Sequence, residues 1–325
     1  MSHPLSDLTG QPLAWDPERL PDQTGRTIVV TGATAGIGYF AAEQLAAAGA
    51  DVVLASRSEA KLRLAEASIR REVAGAAVRS VLIDLASLDS VSRAADEVQA
   101  LPRLDGILLN GGAMALSRSE TTVDGLPLLV GTHAVANVRL LAGLLPALVD
   151  TGTRSGTPTR VVHTSTGFVK QFPIRVDDVL RTPASAIGAY TKAKTVTEVF
   201  AFELDRRLRA SRRPVASLVV RPGVGVDAKT PERRGVRDSS TPYQRNPYTP
   251  WAQGKDTAAW SAVRALTDPD AQGGEYYAPA GRLRGLPVRV DPLARTQAPS
   301  ADTAAEVWRQ LEELAGARLP LPETA

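Results

Sequence analysis

The sequence predicts an α/β fold: a doubly wound parallel sheet in three α/β/α layers. Three observations carry this. Short unbroken apolar runs recur along the chain, as strands covered on both faces require. Helical segments separate the runs, so the strands should lie parallel through right-handed crossovers. The first run ends in a glycine-rich turn that opens directly into a helix, where backbone N–H groups can meet a pyrophosphate.

Taken in order, Thr27–Thr31 is the first β-branched run, bounded by Gly25 and Gly32. A helix follows to Ala48, with Ile37, Ala41 and Leu45 at four-residue spacing and Gly49 as its stop. Val52–Ala55 is the second strand, and a helix runs from about Glu59 to Val73. Val78–Leu82 and a helix near Val91–Val98 repeat the theme. Ile107–Leu109 precedes a long helix around Leu128–Leu148. Arg160–Thr164 is the fifth strand, Ile187–Leu208 the next helix, and Val215–Arg221 the sixth strand. Beyond Pro222 the pattern loosens. A helix over Lys255–Leu266, a strand at Glu275–Tyr277 and a closing helix opened by a Thr303-x-x-Glu306 capping box complete the chain. The expected organisation is a loose lead-in over residues 1–25, then one domain over 26–325. Within that domain 224–254 would be a substrate loop and 255–325 a C-terminal extension.

Composition bounds the chemistry. The chain has 325 residues, 43% of them apolar, and a net charge of +3. That is enough for a full core and too little charge to imply a nucleic-acid partner. There are no cysteines and only three histidines, His3, His133 and His163. Disulfides, thiolate nucleophiles and cysteine-ligated zinc are therefore excluded, and no metal site is expected. The start, Met1–Asp7, lacks the pattern of a secretory signal. The apolar stretch Leu126–Val149 is interrupted by His133, Asn137 and Arg139, so it reads as a buried helix rather than a transmembrane segment. A soluble, cytoplasmic protein is the expectation.

The glycine-rich turn is Thr31-Gly32-Ala33-Thr34-Ala35-Gly36-Ile37-Gly38, whose spacing is not the plain G-x-G-x-x-G. Its position between strand and helix favours a dinucleotide. Ser56-Arg57 closes the second strand, where an acidic residue would bind a ribose 2′-hydroxyl. A hydroxyl before a guanidinium suits a 2′-phosphate instead, so NADP(H) is favoured over NAD. Tyr190 and Lys194 stand one helical turn apart on one face. A phenol titrates near ~10, and bringing it to neutral pH costs roughly 4 kcal/mol. A nearby ammonium and the cofactor's positive nicotinamide would favour the phenolate.

This ordered series, with Asn110, a hydroxyl pair ending the fifth strand and Pro222-Gly223, resembles the short-chain dehydrogenase/reductases over roughly residues 25–225. The tail resembles the retinol-dehydrogenase-like and WW-domain-oxidoreductase-like branch. The resemblance implies a Rossmann-like fold in which Thr34, Ala35, Ile37, Asp84, Leu85, Gly111 and Gly112 join the cofactor contacts. Tyr190 would be the general acid, and Lys194 would lower its pKa and hold the nicotinamide ribose. Thr166, or else Ser165, would hydrogen-bond the substrate oxygen, and Pro222-Gly223 would lie beside the nicotinamide. Three departures stand out. Asn110-Gly111-Gly112-Ala113 replaces Asn-Asn-Ala-Gly and loosens a loop that normally braces the sheet. His133 takes the place of an asparagine that helps hold a relay water, or is a packing histidine. Asp227 falls where a threonine would meet the carboxamide. His163 and the basic run Arg206 to Arg213 read as structural.

The implied activity is an NADP(H)-dependent oxidoreductase moving hydride between nicotinamide and a carbonyl or alcohol. The aromatics of 224–254 suggest an apolar small-molecule substrate under a lid. The alternative is a family member that binds NADP with little or no turnover and acts as a binding or sensing protein. A sugar-nucleotide epimerase is disfavoured, because Gly36 and Gly38 are two residues apart rather than three. Homo-oligomerisation stays open.

Overall fold

The computed structural model describes residues 15–113 and 120–321; His3 and the Met1–Asp7 start lie outside them. Among the described residues eight strands form one sheet. They are β1 (Thr27–Thr31), β2 (Asp51–Ser56), β3 (Val78–Leu82), β4 (Gly106–Leu109), β5 (Thr159–Thr164), β6 (Val215–Val220), β7 (Tyr276–Pro279) and β8 (Pro287–Val290). Their order is β3-β2-β1-β4-β5-β6-β7-β8, parallel throughout except for the antiparallel edge strand β8. The chain order reverses between β1 and β4, so the crevice at their C-terminal ends is where such a sheet binds a ligand.

On one face pack α3 (Leu88–Gln99), α4 (Leu128–Ser155), α6 (Ala186–Ala210) and the closing helix α10 (Ala301–Ala315), the helices α5 (Phe168–Gln171) and α9 (Ala294–Gln297) being shorter. On the other lie α1 (Gly36–Ala47), α2 (Glu59–Glu72) and α8 (Trp260–Thr267), with the single turn α7 (Lys255–Ala258) before α8. Serines cap four of these helices: Ser58, Ser87, Ser185 and Ser300 each accept a first-turn N–H. By length and composition α4 could cross a membrane, yet its most apolar window is 78% buried within the fold. Its Leu141 and Leu144 are fully enclosed, and truncating either to alanine would cost about 2–5 kcal/mol.

Four local expectations are corrected. The described part of the lead-in, residues 15–25, is fastened: Trp15 is buried and its indole N–H donates to Thr267 Oγ1 at 2.9 Å. The last helix begins at Ala301, capped by Ser300, so Thr303 sits inside the first turn and Glu306 pairs with Arg309 rather than closing a capping box. The helix expected over 255–266 is broken at Ala259. Strand β8 was not foreseen, because an edge strand of four residues opening on proline carries little apolar signal.

Candidate active site

The nucleotide side of the crevice is built from backbone. Gly32 and Gly36 hold φ of +67° and +58°, a region that side chains rarely adopt. Gly38 is selected by space: a Cβ there would lie 2.4 Å from the Gly32 carbonyl oxygen and 2.6 Å from Asn110 Nδ2. No side chain caps the first turn of α1, whose N-cap is Ala35. The turn therefore presents backbone N–H groups and the positive end of a helix dipole to an anion. Thr34 Oγ1 lies 3.2 Å from Ser56 Oγ, and the exposed Arg57 beside them makes no ion pair among the described residues. Asp84 ties its own loop by accepting from the Ala86 N–H at 3.0 Å, and Leu85 borders Gly111. These residues fit a dinucleotide with a phosphate at Arg57.

The described start of the loop after β4, residues 110–113, is braced, contrary to the expectation from its altered motif. Thr31 Oγ1 accepts from the N–H groups of Asn110 (3.0 Å) and Gly111 (2.9 Å), and Asn110 Nδ2 donates to the Thr31 carbonyl at 3.2 Å. The glycines are there for closeness: a Cβ on Gly112 would fall 1.9 Å from His133 Cε1. His133 Nε2 donates to the Ala113 carbonyl at 2.9 Å, and its ring meets the Tyr190 ring edge-on at 5.6 Å. Burial, and then the Lys194 charge, hold this imidazole neutral, well below its ordinary pKa. Its backbone carbonyl, within the wider π-type turn 131–135 of α4, accepts from Asn137 Nδ2 (2.8 Å) and Thr197 Oγ1 (3.1 Å).

Helix α6 supplies the ionisable pair. Lys194, 3% exposed, donates to the Thr164 carbonyl at 2.6 Å, and its Nζ lies 5.9 Å from the centre of the Tyr190 ring. Burial lowers its pKa to about 7. Burial raises the Tyr190 phenol to about 12, against the direction in which the ammonium and the nicotinamide charge would move it. The physical reason is that the ammonium is spent on Thr164 and itself half-neutralised, so it offsets little of the desolvation.

The two candidate hydroxyls separate. Ser165 is buried and donates to Glu198 Oε1 at 2.5 Å. Thr166 is half-buried, its Oγ1 making only a 3.4 Å contact with the Phe168 N–H. Asp227, which falls where a threonine would meet the carboxamide, holds Lys255 Nζ at 2.5 Å and accepts the Gln244 N–H at 2.9 Å. Gly223, at φ +72°, turns the chain after β6 against the Leu283 carbonyl. The segment 224–254 is partly fastened to the nucleotide side, since Arg233 grips Glu43 of α1 through two bonds. Its Tyr243, Tyr248 and Trp251 are exposed rather than lining a cavity.

Three residues of the site were missed from sequence. Glu198, four residues past Lys194 on the same face, accepts from Ser165 and from Tyr276 Oη at 3.0 Å. Its spacing could have flagged it. Lys255 runs beside Gly36, and Arg221 beside Gly167; both depend on long-range packing that no local pattern encodes.

A family model described as short chain dehydrogenase matches residues 26–169. Mouse polyprenol dehydrogenase is 33% identical over 262 residues, 79% of this chain and 76% of that protein. Mouse retinol dehydrogenase 13 is 32% identical over 202 residues, 62% of this chain and 58% of that one. A solved structure of a protein from Mycobacterium paratuberculosis is 29% identical, covers 94% of this chain and 99% of its own, and superposes with a TM-score of 0.74.

Proposed function

The chain belongs to the short-chain dehydrogenase family of nicotinamide-dependent oxidoreductases, and we propose that it is an NADP(H)-dependent reductase or dehydrogenase of an apolar carbonyl or alcohol. One observation carries the reading: a glycine cradle and the pair of half-buried Tyr190 and buried Lys194 belong to the same edge of one sheet. The NADP preference rests on Ser56 and Arg57, since a guanidinium forks onto phosphate and no carboxylate stands there to repel it. Lys255 adds positive charge beside the glycine turn. The likeness to polyprenol dehydrogenase supports an apolar substrate, as does the exposed Phe172, which packs on Phe168 shortly after Thr166.

When bound, the reduced nicotinamide supplies hydride to the carbonyl carbon. The residues of the chain handle position and one proton. Thr166 Oγ1, the less committed hydroxyl, donates to the substrate oxygen and orients it. Tyr190 gives that oxygen its proton; a phenol pushed up to about 12 retains it at neutral pH and is ready to donate. Lys194 anchors the end of β5 through Thr164 and, with a pKa of about 7, can restore the tyrosine's proton. Burial of Lys194 keeps competing water from its ammonium.

A second reading is favoured by His133. Its carbonyl and its Nε2 are both occupied within the protein, which leaves a water relay to Lys194 only Nδ1 as an anchor there. That suits a protein that binds NADP(H) and turns over little. Oxidation of NADPH by a panel of long-chain and aromatic aldehydes and ketones separates the two, with Tyr190→Phe beside the wild type. The enzyme reading expects turnover that falls by about 10²–10⁴-fold in the variant, with NADPH binding intact. Tight NADPH binding without turnover on any substrate would instead support the binding protein.

A further inference from the structure

The sheet carries a second polar concavity at its opposite edge, where β1, β4 and β5 begin. In register, Ile28 of β1, Gly106 of β4 and Arg160 of β5 form one row, so Ile28 and Arg160 point to the same face. Gly106 puts no side chain between them. Arg26, two residues before Ile28, and Arg160 line one cavity of about 300 Å³.

The acids nearby are already engaged. Asp105 takes Arg103 through two bonds of 2.6 Å and also accepts the Thr27 N–H at 2.9 Å. Asp268 is held by Arg264 Nε at 2.9 Å. Arg160 is 7% exposed, and its one side-chain hydrogen bond runs from Nη1 to the Ala265 carbonyl at 3.1 Å. Arg26 reaches only Gln23 Oε1, at 3.5 Å. Neither guanidinium has a carboxylate within 4.0 Å among the described residues. Burial, and next the charge of Arg26, push the Arg160 pKa down, the direction that two facing cations produce. Asp268 and Glu275 act on Arg160 only from beyond 4.0 Å, and a buried charge without a close counter-charge is costly; the Thr157 hydroxyl and the paired Arg103 and Asp105 also line the cavity, while Ser155 Oγ donates to the Thr157 carbonyl at 3.1 Å.

We propose that this cavity is an anion site that takes a phosphate group, held between Arg26 and Arg160, at the edge of the sheet away from the glycine turn. Two guanidiniums and an adjacent hydroxyl match a dianion with several acceptor oxygens better than they match a monovalent anion. The cavity is large enough for orthophosphate or a small phosphomonoester.

Thermal unfolding of the NADPH-saturated protein tests it, with orthophosphate, glycerol phosphate and chloride titrated at matched ionic strength. The expected result is a Tm rise of about 3 °C at ten times the phosphate Kd, and none with chloride. Arg160→Met should unfold at a higher temperature than wild type without phosphate, because the repulsion is gone, and should lose the response. Arg26→Gln, at a half-buried position, should weaken the response and carries the test if Arg160→Met does not fold. Arg57→Ala should keep it. A stronger rise with glycerol phosphate than with orthophosphate would make the ligand an organic phosphate; equal rises would make it the free ion. No phosphate-specific rise in wild type, a rise surviving both cavity variants, or a rise lost in Arg57→Ala would each overturn the site.

Discussion

The two sides of the crevice are made of different material. The nucleotide side is shaped by glycines whose missing Cβ atoms leave room for backbone, as at Gly38 against Gly32 and at Gly112 against His133. The proton side is made of ionisable side chains withdrawn from water: half-buried Tyr190 and buried Lys194 and Glu198 stand at four-residue steps on α6, each shifted by burial toward its neutral form. Steric selection is nearly all-or-none, because packed interiors do not yield by an ångström. Electrostatic tuning is graded, because each group answers to several neighbours. Substitutions should therefore abolish function on one side and displace its pH dependence on the other.

The sharpest way to break that contrast is Gly38→Ala. Its methyl would overlap the Gly32 carbonyl, so the turn must open. Cofactor affinity should fall at least ~100-fold and stability by about 1–3 kcal/mol, as overpacking does. Fluorescence titration with NADPH measures the first and urea unfolding the second. Wild-type affinity in this variant would mean the cradle is pliable and the contrast is wrong.

Arg57→Ala acts on the same side, but through charge. A hydrogen bond to a charged group contributes about 1.5–3 kcal/mol, so the Kd for NADPH should rise by about 10–100-fold while that for NADH stays level. An equal loss for both cofactors would remove Arg57 from 2′-phosphate recognition.

The same division explains what could be read from the sequence. Thr31 to Gly38, the strands β1 to β6 and the Tyr190-x-x-x-Lys194 spacing are local patterns, and local patterns carry glycine conformation, strand runs and helix faces. The seating of Ser165 on Glu198, the ion pair of Asp227 with Lys255 and the burial of Trp15 join residues 33, 28 and 252 positions apart. Such pairings are set by topology and have no local signature. The burial that raises Tyr190 is hidden for a related reason: helix spacing gives the lysine's proximity, but not how much water the fold removes from both groups.

Glu198→Gln sharpens the graded side. The carboxylate is 0% exposed, and its charge raises the Lys194 pKa against the burial that lowers it. Removing that charge should move the limb of the pH–rate profile that belongs to Lys194 toward lower pH. Activity at pH 7 should drop by about twofold, the effect of roughly half a pKa unit on a group half-protonated there, with NADPH affinity unchanged. An unmoved profile would mean that Glu198 already carries a proton in the fold and only seats Ser165 and Tyr276.

His163 gives the smallest effect and tests how far the neutral interior extends below the site. It is buried on β5 with neither ring nitrogen partnered among the described residues, and burial followed by the Lys194 charge lowers its pKa to about 3. His133 is lowered as well. For both, the fold keeps the imidazole neutral while the unfolded chain binds a proton below its ordinary value near 6.5. Their contribution to stability is thus complete above pH 6.5 and lost as pH falls toward 3, at up to about 2.7 kcal/mol per pH unit for the two together. Glu198, raised above its ordinary value, opposes this trend from its folded pKa down to its unfolded value near 4.5. Urea unfolding of His163→Leu should match wild type closely at pH 7 and lose about half the slope between pH 6.5 and 5. An unchanged slope would mean that the fold accepts a charged His163, and that the neutral region ends at Lys194.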